Sequence, residues 1–479
     1  MPLQHAGAVH ESGSSQSRPL PRVSWWPLVA CCLGTFLLLV YTSIVTVALP
    51  SIAADLGAGH SAQQWVVNVY TVALAGFLLG AGSIGDTLGI ARVYLVGVAA
   101  FTVATALAGF APSVGWLIAG RAVQGVAGAV MFACIPALIG RAYAEPRTRA
   151  VAFAVWGAVA GAASAIGTIA GGVLAEFVGW RWLFFAALPF CLIALAAALR
   201  LRALPGRPPA SGVRPPVDWA GLGCATLGIT ALAYAITETG SPSGPGLGVL
   251  AAALVAGCSA VGFVWAERRA VAPVLPLSLL RTPAYLAALL AAFGYYFAAF
   301  GQLPAISNWL QLGEGLGSAA TATILLAQLI AFVLASALLS ARLRGAGVRG
   351  ALGWPMLAIA FAAATGLLLL TGVGWITLVP FLVLSGAAAG VISPALPALA
   401  LAAAPAEVSA AATSGANAAR QLGLALGVAV CGSVAAVPES GPLAGAFLVC
   451  AVLALSIGIL VLRLGAAPET KPQCRAKPG

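Results

Sequence analysis

Residues 26–49 read WPLVACCLGTFLLLVYTSIVTVAL, from Trp26 to Leu49, and hold no charged side chain. As a helix the run rises about 36 Å at 1.5 Å per residue, enough to cross a hydrocarbon core of roughly 30 Å. It is well beyond the apolar core of a cleavable signal, so it is expected to remain in the membrane. Runs of the same kind recur near 64–84, 93–111, 114–138, 151–177, 182–199, 219–238, 246–266, 284–309, 317–340, 352–372, 375–400, 410–436 and 442–462. Fourteen such spans predict an all-α polytopic membrane protein. Composition agrees: the 479 residues are 61% hydrophobic and 7% charged with mean hydropathy +1.03, against about 25% charged in a soluble domain. A membrane barrel would show short alternating segments instead, and is excluded.

Basic residues test the count, because one missed helix would invert every later loop. With the amino terminus cytoplasmic, twenty of the twenty-three Lys and Arg fall on the cytoplasmic side, from Arg18 and Arg22 to Arg463, Lys471, Arg475 and Lys477. Arg181 falls in an outer loop, and Arg121 and Arg420 fall within spans. Both termini are therefore expected in the cytoplasm. The net charge of +11 is topological, since the basic residues stand singly between apolar runs and form no patch for nucleic acid.

The two longest inner loops, 200–217 and 268–283, are Pro-bearing and set apart a helix pair at 218–267. The expected organisation is a disordered tail at 1–25, a six-helix bundle at 26–199, the inserted pair, a second six-helix bundle at 284–464 and a cytoplasmic tail at 465–479. Two such bundles can rock about a midplane site. Nine cysteines, all but Cys474 inside apolar segments, follow no disulfide or metal spacing. No cofactor and no metal are expected. Nor is an enzyme: no H-E-x-x-H, paired intramembrane aspartates or nucleophile beside a base occurs, and no phosphate-cradling glycine loop with its lysine supports ATP-driven transport.

Four local patterns resemble those of the major facilitator superfamily, specifically its fourteen-helix drug:proton antiporters, over about Trp26 to Arg463. The loop after the second span, Gly82-Ser-Ile-Gly-Asp86-Thr-Leu-Gly89-Ile-Ala-Arg92, is similar to G-x-L-x-D-R-x-G-R-R, with Thr87 and Ile90 at two arginine positions. In the fourth span Arg121-Ala-Val-Gln124-Gly125-Val-Ala-Gly128 resembles R-x-x-Q-G-x-G with an alanine before the second glycine. The fifth ends Gly167-Thr168-Ile-Ala-Gly171-Gly172, like G-P-x-x-G-G but with Thr168 for the proline, and Trp180-Arg181-Trp182 follows. The thirteenth carries Ser414-Gly415-Ala-Asn417-Ala-Ala-Arg420-Gln421-Leu-Gly423, which with Pro276-Leu-Ser-Leu-Leu-Arg281 looks most specific to that subfamily.

The resemblance implies two six-helix bundles plus a central pair. It also implies secondary efflux of a hydrophobic or amphipathic small molecule (drug, dye or natural product) across the bacterial inner membrane by alternating access with proton antiport. The alternatives are an uncoupled facilitator and a transporter-derived sensor. The expected partners are a small-molecule substrate and the bilayer, with the protein monomeric. Helix 1 departs from the pattern: Tyr41 stands where the family has an aspartate, and a phenol with an ordinary pKa near 10 does not titrate at working pH. Glu176 and Asp55, near the outer mouth, become the proton-coupling candidates. The expected cavity residues are Tyr41, Thr42, Thr46, Asn68, Arg121, Gln124, Tyr295, Tyr296 and Asn417. The expected conformational gate is Asp86, Gly89, Arg92, Gly167, Gly171, Gly172, Arg420 and Gln421. Asn417 and Gln421 share a helix face with Ser414, where they either touch substrate or anchor packing.

Overall fold

The computed structural model describes residues 24–143, 145–201, 217–239, 246–271, 273–339, 346–405, 408–435 and 443–465. Fourteen of its helical spans are long and apolar enough to cross a membrane, and no strand occurs among the described residues. They are α1 Trp26–Leu56, α2 His60–Leu88, α3 Ile90–Gly109, α4 Val114–Ala142 and α5 Pro146–Phe177. Next come α6 Trp182–Arg200, α7 Trp219–Thr239, α8 Leu247–Arg269, α9 Pro283–Gly313 and α10 Ser318–Leu339. The chain closes with α11 Arg349–Thr371, α12 Trp375–Ala402, α13 Ser409–Ala435 and α14 Ala444–Leu464.

Local sequence explains where several of these helices begin and end. Gly57 takes φ +63°, so its left-handed backbone closes α1 with a bond to the Ala53 carbonyl. Ser113 caps α4 by accepting from Trp116 N–H, and Glu145 caps α5 by accepting from the N–H groups of Arg147 and Thr148 ahead of the Pro146 start. α9 is not α-helical throughout: π-helical turns at Tyr296–Phe300 and Trp309–Gly313 bracket Gly301 and Pro304.

Lipid tails are as apolar as leucine, so close backbone approach rather than water exclusion holds such helices together. In the first bundle α1 packs on α5, and α4 on both α2 and α3; in the second, α10 packs on α12, α11 on α14 and α9 on α13. The bundles meet where α2 lies against α13 and α5 against α10. Glycines make these contacts possible. At Gly171 a Cβ would stand 2.5 Å from the Ile44 carbonyl oxygen of α1, and at Gly172 one would stand 2.6 Å from the Ser318 carbonyl oxygen of α10.

The central pair sits outside both bundles. α7 lies along α2 and α13, and α8 packs chiefly on α7. On α8, Leu250, Leu254 and Val261 are 65%, 68% and 72% exposed, so this helix is a lipid-facing outer layer. Helix alternation puts Arg92, Arg141, Arg147, Arg268, Arg281, Arg349 and Arg463 on one face, here the basic face, and Arg181 on the opposite one.

Candidate functional site

Between the two bundles lies a cavity of about 1350 Å³. Its inner end is formed by Thr42, Thr46 and Val47 of α1 with Leu303 and Pro304 of α9, near the middle of those spans. From there the wall runs past Phe132 and Pro136 of α4 and Trp156 of α5 to Phe153, Gly347, Leu399 and Thr413, at the helix ends of the basic face. The cavity therefore opens toward that face.

The opposite face is shut by bonds between the bundles. Gln311 Nε2 of α9 donates to the Val47 carbonyl of α1 at 2.9 Å. Glu176 Oε2 of α5 accepts from Ala319 N–H of α10 at 2.7 Å, placing a carboxylate on the positive end of that helix. The His60 imidazole of α2 lies 3.2 Å from the Gly432 carbonyl of α13. A smaller pocket of about 420 Å³, walled by His60, Gln63, Gln64, Asn308 and Trp309, lies beyond this closure.

The residues expected from sequence divide between cavity and packing. Thr42, Thr46, Tyr296 and Asn417 line the cavity, and so do Arg420 and Gln421, which were expected at the gate. Tyr41, Asn68, Arg121, Gln124 and Tyr295 do not line it, and all five are wholly or almost wholly buried. Tyr41 turns to the back of α1, where its hydroxyl donates to the Leu183 carbonyl at 3.0 Å and its ring packs on Phe101 and Phe184. The position at which the family pattern carries an acid is thus filled by an apolar ring that joins α1 to α3 and α6.

Arg121 is a packing knot. Its Nε donates to the Val66 carbonyl at 3.2 Å, one terminal nitrogen to the Tyr41 carbonyl at 3.1 Å and the other to Gln124 Oε1 at 2.8 Å. Gln124 Nε2 passes the chain on to Thr105 Oγ1 at 2.8 Å, and Thr105 donates to the Phe101 carbonyl at 2.7 Å. The guanidinium also lies 4.2 Å over the Tyr70 ring. Four helices, α1 to α4, are tied by this one group, which satisfies the demand of a buried cation for several acceptors.

Arg420 is placed differently. It donates to Tyr296 Oη at 2.5 Å and to Asn417 Oδ1 at 3.2 Å, while its Nε has no partner. Its guanidinium lies 4.7 Å from the Tyr296 ring centroid, and Tyr296 stands edge-on to Tyr295 with centroids 4.7 Å apart.

Of the expected gate, Gly89 has φ +97° and joins α2 to α3, while Arg92 is exposed at the start of α3. The side chain of Asp86 lies outside the described residues. Gly167 and Gly171 pack on α1 within the first bundle, whereas Gly172 faces α10 across the interface. Glu176 bridges the bundles, but Asp55 pairs within the first one, with Arg181 at 2.5 Å and Trp180 Nε1 at 3.0 Å. Reasoning from sequence missed the aromatic wall of Phe132, Phe153, Trp156, Phe300 and Phe332. Its signal, large rings within spans, is shared by every lipid-facing aromatic.

The sequence pattern of the Major Facilitator Superfamily matches residues 31–428. A methylenomycin A resistance protein of Bacillus subtilis is 30% identical over 435 residues, covering 90% of each chain. A puromycin resistance protein of Streptomyces alboniger is 39% identical over 268 residues, 56% of this chain; the match spans about half of that relative's length, 52%. Among solved structures, a peptide transporter superposes with TM-score 0.69 at 13% identity, over 94% of this chain and 96% of that one, a likeness of fold.

Proposed function

The chain belongs to the major facilitator superfamily, and from that premise we propose that it is a secondary exporter moving an amphipathic or aromatic small molecule out across the bacterial inner membrane. The observation that carries the reading is the cavity of about 1350 Å³ between the bundles, open to the basic face and closed opposite. Its volume exceeds the range of roughly 300–1,000 Å³ typical of small-molecule sites, and its wall is apolar with few polar groups. By the positive-inside rule the basic face is cytoplasmic, so this conformation is the one that loads substrate from inside. Relatives named for antibiotic resistance support efflux as the direction.

Export then needs the bundles to rock so that the opposite mouth opens. Motion of that kind breaks the Gln311–Val47 and Glu176–Ala319 bonds, which join different bundles, and leaves the Arg121 knot whole. Proton entry couples to this step through Glu176. As a carboxylate it holds the N-terminus of α10; once protonated from outside it loses its charge and the helix-end attraction, and the outer mouth is freed. Protonation from outside thus favours the outward state, and antiport is completed only if that proton passes to the cytoplasmic side as the bundles rock back and the Glu176–Ala319 bond re-forms.

The test uses inverted membrane vesicles and fluorescent aromatic compounds, scored before and after the pH gradient is collapsed. Accumulation that vanishes with the gradient and is absent from vesicles without the protein is the expected result. Equilibration indifferent to the gradient would instead identify a facilitator, the reading favoured by a cavity wall with no carboxylate among its described residues.

A further inference from the structure

Among the described residues, Arg420 is the one charged residue on the cavity wall. The remainder of the wall is apolar or aromatic side chains with a few hydroxyls and amides, and no acidic side chain among the described residues pairs with it. The contrast with the other intramembrane arginine is informative. Arg121 has two backbone carbonyls and an amide oxygen on its three nitrogens and is shut away from the cavity. Arg420 has one phenol and one amide, keeps Nε unpartnered, and borders the cavity. An intramembrane cation without a counter-charge is expensive, so its presence on a binding wall calls for an anion that arrives with the ligand.

We infer that the transported molecule is an aromatic acid, bearing a carboxylate, sulfonate or comparably acidic group, and that Arg420 is the specificity residue that binds this group. The inference rests on the exporter reading above and names its substrate class. Tyr296 and Asn417 each take one N–H of a terminal nitrogen and hold the guanidinium on the wall. Each terminal nitrogen keeps a second N–H to meet an oxyanion, for which the planar fork of arginine is suited, while the buried Nε does not itself reach the ligand. The low-dielectric wall strengthens that attraction and penalises a cation brought to the same place. Aromatic side chains such as Phe300, Phe332 and Trp156 supply the apolar surface for the rest of the ligand. The same arrangement argues against permanently cationic dyes, for which the described residues of the wall offer no carboxylate.

The experiment measures equilibrium binding to the purified full chain, by dialysis, of three dyes: anilinonaphthalene sulfonate, uncharged N-phenylnaphthylamine with nearly the same skeleton, and ethidium. The sulfonate is expected to bind about tenfold tighter than the neutral dye, the worth of a charge-assisted contact, and ethidium weakest. Arg420→Gln should weaken the sulfonate by about tenfold while changing the neutral dye by less than about threefold, and Arg420→Lys should fall between. Ethidium binding as tightly as the sulfonate would overturn the inference, as would an equal loss of both naphthalene dyes in Arg420→Gln. Should that variant not fold, the ranking of the three dyes on the unaltered protein decides alone. The same dyes in inverted vesicles separate the two readings. Gradient-driven uptake without charge preference overturns the acid inference and keeps the exporter. Acid-selective binding with no uptake keeps the acid site and overturns export.

Discussion

Arg121 and Tyr41 show how one residue's neighbours decide its role. Each belongs to a stretch that resembles a transporter pattern, and either could have faced substrate. In the fold Tyr41 presents its carbonyl to Arg121 and its ring to α3 and α6. Replacing Arg121 with Met would leave Gln124 Oε1 without its donor and break the tie from α4 to α1 and α2. We expect a loss of roughly 2–4 kcal/mol of stability, read as a lower Tm in detergent. Lys should not restore it, since an ammonium cannot reach three acceptors in one plane. An unchanged Tm with abolished transport would make Arg121 a substrate contact instead.

At the scale of the element, adjacent glycines on α5 act on different partners. A side chain at Gly171 would strike the Ile44 carbonyl within the first bundle, and one at Gly172 would strike Ser318 and Ala322 of the second. Gly171→Val is therefore expected to lower Tm by several degrees, an overpacking cost of about 1–3 kcal/mol. Gly172→Val is expected to spare the fold and open the outer mouth, seen as faster labelling of a cysteine placed at the buried Leu310, which holds no latch bond. Equal effects of the two changes on stability would refute this division.

The start of α5 gives a pH dependence. The hydroxyl and N–H of Thr148, with the N–H of Arg147, hold the Glu145 carboxyl below its usual range. A carboxylate lowered in the folded state stabilises above its unfolded value, ordinarily near 4.3, and the contribution is lost as pH falls through the folded value. Amide exchange at Thr148 should accelerate as pH drops below that range after correction for intrinsic rates, and Glu145→Ala should show the fast rate at neutral pH as well. Acid-insensitive protection would show that the cap is unimportant.

For the whole molecule, the bonds between the bundles that close the outer face include, among the described residues, one carboxylate, and it belongs to the latch at Glu176. Glu176→Gln should mimic the protonated state, so outer-mouth labelling rises and export ceases to follow the pH gradient, with rates down about tenfold. Export that still follows the gradient in this variant would remove Glu176 from the coupling step. Asp55 is a poorer candidate because its partners, Arg181 and Trp180, lie in the same bundle and need not part during rocking.

Reading along the chain was sufficient for the fourteen spans and the superfamily, because crossing a bilayer is a demand on consecutive residues and loop charges report their order. It did not separate Arg121 from Arg420, or Tyr41 from Tyr296. Those distinctions depend on how each helix is rotated toward its neighbours. In a soluble protein the rotation is written in the sequence, since polar residues mark the outer face; here lipid and interior are both apolar, and that signal is weak. The cavity, its aromatic wall, the Arg420 guanidinium on it and the bonds that shut its far end came into being only when α2 met α13 and α5 met α10. No stretch of the chain contains them, because each needs surfaces from two bundles that lie far apart in sequence.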